Sequence, residues 1–324
     1  MRYDYASVGF YTFDCLGYPI DHLPGGGGVA FVDEITLAVS GTAGSCAIDA
    51  AKLGLKTLAV GAVGPDPMGR WVLEQLDTHG VDTSTMQVLQ QSRTSTTIVT
   101  TRSDGARPAM HMKGATGEFV IEDAMLDQVL DARVVHLGGT GLMNRMDGAR
   151  SVALLSEAKA RGCITTHDLL AGTPEFLPLV EPLMPWVDYF IPSIEEAEGL
   201  SGLRDIEDIA RFFLDKGAGC CVLTLGGAGA WYHHSDGTRF LVPAFDIDVR
   251  CTCGCGDAFD AGFAAAILRN HDPETAVRFA QAAAALVATG LGSQAGIRSF
   301  EQTWEFMNNT PVRTERKNSA RRAV

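Results

Sequence analysis

Between Cys251 and Phe263 the chain reads CTCGCGDAFDAGF. A glycine-rich turn, Gly254-Cys255-Gly256, ends on a carboxylate, Asp257, and Phe259, Phe263 and Ile267 then fall on roughly one face of a predicted helix. A turn that runs into a helix start presents unpaired backbone N–H groups, and the macrodipole adds about half a positive charge there. That combination cradles anions, phosphate above all. A carboxylate in such a cradle repels phosphate, so its chemical use is to take a proton from a hydroxyl held beside the anion. The other reading of Asp257 is structural, because Asp is a favoured N-cap.

The elements around this segment follow from hydrophobic periodicity. Tyr3 to Gly9 reads as a strand, followed by Asp14 and the glycine cluster Gly25 to Gly28. Val29 to Val39 mixes β-branched and polar residues, as a half-exposed strand does. Gly41 to Gly44 leads into a small-residue helix over Ser45 to Leu53, closed by Gly54. Lys56 to Val63 is β-rich, and Met68 to His79 is amphipathic at helical spacing. Arg93 to Arg102 and Ala106 to Lys113 form a predicted hairpin turning at Asp104-Gly105, placed with Phe13 to Val39 in a small sheet outside the core. Strand patterns at Arg133–Leu137, Cys163–His167, Tyr189–Ile191 and Cys220–Leu225 alternate with helical ones, including Asp147–Arg161 and Ile206–Lys216. Such alternation predicts a mostly parallel sheet flanked by helices. A second hairpin, Ala230–His234 with Thr238–Val242, turns at Asp236-Gly237, and helices follow at Asp257–Arg269, Pro273–Thr289 and Ser299–Asn308.

In this setting the sequence resembles the ribokinase-like carbohydrate kinases, the PfkB family. Its C-terminal signature, D-T-x-G-A-G-D-x-F, is matched by Cys251-Thr252-Cys253-Gly254-Cys255-Gly256-Asp257-Ala258-Phe259. Its N-terminal G-G-x-x-x-N, opening a helix that ends in L-G, is similar to Gly41-Thr42-Ala43-Gly44-Ser45-Cys46 with Leu53-Gly54. Val60 to Thr83 resembles the family's G-x-x-G-x-D-x-x-G…L-x-x-x-G-V-D stretch, and Thr224-Leu225-Gly226-Gly227-Ala228-Gly229 its nucleotide-binding turn. Order and spacing agree from about residue 4 to 298.

The resemblance implies a three-layer α/β sandwich with a small β lid over residues 12–40 and 90–115, a kinase domain of residues 1–312 and a basic tail, 313–324. It implies ATP-dependent phosphorylation of a hydroxyl on a sugar or related polyol, with a nucleoside kinase, or a non-catalytic sugar or nucleotide sensor, as alternatives. Asp257 would be the general base. Gly254, Cys255 and Gly256 would supply the N–H cradle. Asp14, Gly41, Thr42 and Cys46 would line the acceptor site, while Thr224, Gly226 and Gly229 would lie against the nucleotide. Glu196 would help position Mg2+, largely through water.

Four positions depart from the family pattern. Cys46 and Ser193 replace asparagines, Cys251 replaces an aspartate that in several relatives helps bind a monovalent cation, and Thr42 replaces a glycine. A neutral thiol at Cys251 would weaken such a cation site, because hard cations take oxygen ligands. Cys251, Cys253 and Cys255 lack the second ligand pair of a zinc site. Cys255, at a helix start, is the best candidate for a reactive thiol. His136 and His167 read as half-buried, satisfied histidines at strand ends. Asp168 follows a strand aimed at the nucleotide side. Arg107 and Lys113 read as solvated strand charges or as contacts to an acidic substrate group. Phe10, Tyr11 and Phe13 flank Asp14 as core residues, although an aromatic there would also suit a nucleobase.

Composition excludes other classes. The chain has 324 residues, 46% hydrophobic and 20% charged, which is neither disordered nor fibrous. Net charge is −13, and the body without the five bases and one acid of the last twelve residues carries −17, which argues against nucleic-acid and anionic-membrane partners. The tail reads as a solvated terminus or an electrostatic arm. No apolar run approaches the ~20 residues of a membrane span. Met1 to Phe10 reads as a strand and not a signal segment. The eight cysteines read as reduced thiols of a cytoplasmic protein. A lid of this kind suits a homodimer.

Overall fold

The computed structural model describes residues 1–313. Apart from Arg313, the basic tail lies outside the described residues.

In chain order the first half holds β1 (Tyr3–Gly9), β2 (Thr12–Tyr18), β3 (Glu34–Ser40), α1 (Gly44–Lys52), β4 (Thr57–Val60), β5 (Ala62–Val63), α2 (Pro67–Thr78), β6 (Gln87–Val88), β7 (Thr96–Thr100) and β8 (Ala109–Met112). The second half holds α3 (Asp123–Val129), β9 (Ala132–Thr140), α4 (Ala149–Ala160), β10 (Ile164–Leu169), α5 (Leu177–Val180), β11 (Tyr189–Phe190), α6 (Ile194–Ser201), α7 (Ile206–Asp215), β12 (Cys220–Thr224), β13 (Ala230–His234), β14 (Arg239–Val242), α8 (Cys255–Ile267), α9 (Pro273–Ala288) and α10 (Phe300–Asn309).

Eight strands form the central sheet in the order β14-β13-β12-β11-β10-β9-β1-β4. The six from β4 to β12 run parallel, and the β13–β14 hairpin closes one edge antiparallel. Side-chain alternation splits the core into two layers. Val135, Cys221 and Leu223 pack with Leu155 and Phe213 on one face, whereas Val134, Cys220 and Val222 pack with Phe259, Phe263 and Phe279 on the other. This is the three-layer α/β architecture expected from the alternating pattern. The order reverses at β1, whose neighbours β4 and β9 lie on opposite sides, and ligand crevices form at the carboxyl ends of strands flanking such a reversal.

A second, four-stranded sheet, β3-β2-β7-β8, stands outside the core. Its β2 pairs antiparallel with β3 and parallel with β7. The strand expected from Val29 begins only at Glu34: Val29 and Phe31 are 80% and 96% exposed, and the preceding glycines leave this segment with no ladder to join. The run Lys56 to Val63 breaks at Gly61, where a Cβ would sit 2.3 Å from the Tyr11 ring.

Candidate active site

The glycine turn expected to form the cradle runs directly into α8. Gly254 is the N-cap of α8 at φ 77°, a conformation costly for other residues, and a Cβ there would come within 2.6 Å of Ser293. Ala258 N–H makes the first helical bond, to Gly254 O at 2.9 Å, so the N–H groups of Gly256 and Asp257 precede the ladder. Space beside Gly256 is open, while Cys255 N–H already donates to Thr252 O at 3.4 Å.

Asp257 stands in the first turn of α8, two residues inside it. The cap is Gly254, with no side-chain cap bond, which corrects the N-cap reading of Asp257. The Asp257 carboxyl is half-buried, and burial, with Glu196 and Asp14 adding, pushes it up to about 7 against the opposing Ser45 hydroxyl and Arg107 guanidinium. A carboxyl that titrates near neutrality is matched to proton transfer at physiological pH. Burial also pushes the Cys255 thiol up to about 12, which overturns its reading as a reactive thiol.

The four-stranded sheet contributes Asp14, on β2. It is 8% exposed, its Oδ1 has no partner, and the hydroxyls of Thr97, Ser40 and Thr12 surround it. Burial first of all raises its carboxyl above the ordinary range. Gly41, at φ 88°, turns the chain from β3 toward α1, where a Cβ would meet Phe10 O at 2.4 Å. Thr42 follows at negative φ, so the second family glycine is not required there, and its buried Oγ1 has no partner. Cys46 does not line this pocket. It is fully buried, and its thiol donates to Asp257 O at 3.3 Å.

At the carboxyl end of the sheet, Thr224 ends β12 and bridges Ser193, which opens α6. The turn after it is closed by Leu225 N–H donating to Gly229 O at 2.8 Å. Gly226 faces open space, whereas a Cβ on Gly229 would strike Val242 O at 2.0 Å. Ser193 and Glu196 form a capping box: Ser193 N–H and Oγ donate to Glu196 Oε2 at 2.9 and 2.7 Å. Both bonds converge on one oxygen, and burial raises the Glu196 carboxyl. Asp168, 6% exposed, and Asp260 add further acids on this side, each raised by burial and then by neighbouring carboxylates.

Arg107 is the positive counterpart. It leaves the β7–β8 turn and its Nε donates to Thr252 Oγ1 at 3.0 Å, in the segment that leads into the glycine turn. It lowers the carboxyls of both Asp257 and Glu196. Lys113 turns away to Asn144 Oδ1 at 2.5 Å.

Other expectations need correction. His136 and His167 are completely buried, and burial lowers them to about 3 and about 4. At Cys251 a hydrogen bond from the Cys253 thiol lowers the thiol from its ordinary value, with Cys253 N–H donating to its Sγ at 3.3 Å. Tyr11 is core, its hydroxyl donating to Ser7 O at 2.8 Å. Asp260 was not anticipated, although its spacing from Asp257 places both on one helix face.

A family model described as pfkB family carbohydrate kinase matches residues 5–299. The ribokinase of Haemophilus influenzae is 25% identical over 278 residues, covering 84% of this chain and 88% of that protein. The nucleoside kinase of Methanothermobacter thermautotrophicus is 25% identical over 310 residues, covering 91% and 92%. Among solved structures, an Escherichia coli chain described as a ribokinase II, in complex with ATP and Mg2+, superposes with a TM-score of 0.81 at 21% identity, covering 94% and 99%.

Proposed function

The chain belongs to the pfkB family of carbohydrate kinases, and from that premise we propose which of its residues carry the reaction. It is an ATP-dependent kinase that phosphorylates a hydroxyl of a sugar or related polyol. The observation that carries the assignment of roles is Asp257, a carboxyl pushed up to about 7 beside the open N–H groups that begin α8.

In this reading Asp14 and the Gly41-Thr42 turn hold the acceptor. Asp257 accepts the acceptor O–H proton as that oxygen bonds to the γ-phosphorus, the bond from γ-phosphorus to the bridging oxygen breaks, and ADP leaves. The N–H groups of Gly256 and Asp257, with the Arg107 guanidinium, face the charge on the transferring phosphoryl group. The turn of Thr224, Gly226 and Gly229 takes the nucleotide. Mg2+ fits the donor set: Glu196 keeps one oxygen outside its capping box, Asp168 and Asp257 are adjacent acids, and all are hard oxygen ligands. Bound with ATP, it neutralises phosphate charge; Glu196 would hold it, largely through water.

Residues 12–40 and 90–115 act as a lid on the body of a kinase domain spanning 1–312. A nucleoside acceptor is the second reading. It is favoured by the edge-on contact of Phe10 and His111, 5.2 Å between centroids, next to the hydroxyls that surround Asp14. A homodimer through the lid is supported by its outer face, where Leu37, Cys15, Ile98 and Met110 stand in register across four strands and Leu37, Ile98 and Met110 are 46–51% exposed. No helix of the described residues is long and apolar enough to cross a membrane, and all eight cysteines are free, which supports a cytoplasmic enzyme acting on small molecules. Release of ADP across a panel of pentoses, hexoses, polyols and nucleosides tests this reading. Turnover of one class names the acceptor; ATP binding with no ADP release on any compound contradicts it in favour of a sensor.

A further inference from the structure

Behind the catalytic carboxylate lies a cluster that the kinase chemistry leaves unused. Cys46 on α1, His136 on β9 and Asp260 on α8 each offer one ligand atom, and the three atoms lie within 4.8 Å of one another. All three residues are buried, at 0%, 0% and 2% exposure. Both carboxylate oxygens of Asp260 lack any hydrogen-bond partner, and so does the hydroxyl of fully buried Tyr5, which borders Cys46 and Asp260.

Beyond burial itself, Asp257 and Glu196 raise the Asp260 carboxyl, while the neighbouring Asp168 carboxyl lowers it. A carboxylate in the interior with no partner and no cation is strongly disfavoured, so something must compensate it. We propose that Cys46, His136 and Asp260 hold a structural Zn2+ ion between α1, β9 and α8, with the Tyr5 hydroxyl at the fourth position.

The donor set argues for this ion. Thiolate, imidazole and carboxylate are the three ligand types that tetrahedral zinc accepts, and they hold their donor atoms about 3.3–3.8 Å apart, so a modest contraction closes the triangle. A dication with one thiolate and one carboxylate is electrically neutral, which is what burial demands. Binding displaces the thiol proton of Cys46 and the proton that otherwise neutralises Asp260. His136 stays neutral and is held in place, with Nδ1 3.0 Å from Thr166 Oγ1 and Nε2 3.2 Å from Thr42 O; one nitrogen serves the metal while the other keeps its hydrogen bond. The ion would tie α1 to the helix that presents Asp257 one turn away. It has no open position for substrate, so its role is to fix α8.

The test uses the full chain produced in zinc- or cobalt-supplemented minimal medium, washed with chelator and desalted. We expect about one zinc per chain by mass spectrometry. The cobalt form should show a near-ultraviolet thiolate-to-metal band. Cys46→Ser and Cys46→Ala, folded by circular dichroism, should fall below a tenth of an ion and lose the band, while the double variant Cys251→Ser/Cys253→Ser keeps both. Wild-type protein with less than a tenth of an ion, a band unaltered by loss of Cys46, or a band lost in the Cys251/Cys253 variant would each overturn the proposal.

Discussion

Asp257 carries two pH effects of opposite use. As a base it must be ionised, so kcat/KM should rise with pH through about 7 and lose that acid limb in Asp257→Asn. For stability the sign is reversed. A carboxyl raised from its ordinary value of 3.8 to about 7 holds its proton more tightly when folded, so its contribution is complete below the unfolded pKa and is lost as pH rises through the folded one. Between pH 6 and 8 the ligand-free enzyme should therefore lose about 1 kcal/mol from this group, and Asp257→Asn should lose that much less across the same interval. Equal losses in urea titrations at the two pH values would contradict the buried carboxyl.

At the scale of elements, α8 and the lid act on each other through Arg107. Arg107→Met should lower kcat about tenfold or more, the worth of a charged hydrogen bond, while Arg107→Lys retains part of it. Because Arg107 lowers the Asp257 carboxyl, its loss should also move the acid limb of the pH profile upward. Unchanged kcat and an unmoved limb would leave Arg107 a surface charge. The strands that position these groups were legible from their apolar, β-prone runs: Tyr3–Gly9 and Ala230–His234 stand where those runs put them, and Tyr3–Gly9 is buried at every position but Asp4, as a central strand covered on both faces must be. Arg107 was not, since a long charged side chain in an exposed turn reads as solvated until the lid is folded over Thr252. Nor was the inward turn of Cys46, which depends on α1 packing against α8.

For the whole molecule, Asp257 and its glycine turn were legible because a turn, a helix start and an acid are contiguous in sequence, and Glu196 and Asp168 were singled out from the residues beside them, whereas Asp260 was not, and the convergence of these three acids from three separate elements carries no local signal. The lid's apolar outer face adds a prediction at this scale. Light scattering should give about twice the chain mass of 34.5 kDa, and Ile98→Glu should halve it by placing a charge at the centre of the strand-to-strand row. A monomeric wild type would contradict the lid dimer. The account as a whole turns on the base at the cradle, and the most direct measurement is kcat of Asp257→Asn under saturating ATP and acceptor. We predict a fall of roughly 10²–10⁴ with ATP and acceptor affinities little changed; a variant that keeps near-wild-type kcat would contradict the assignment.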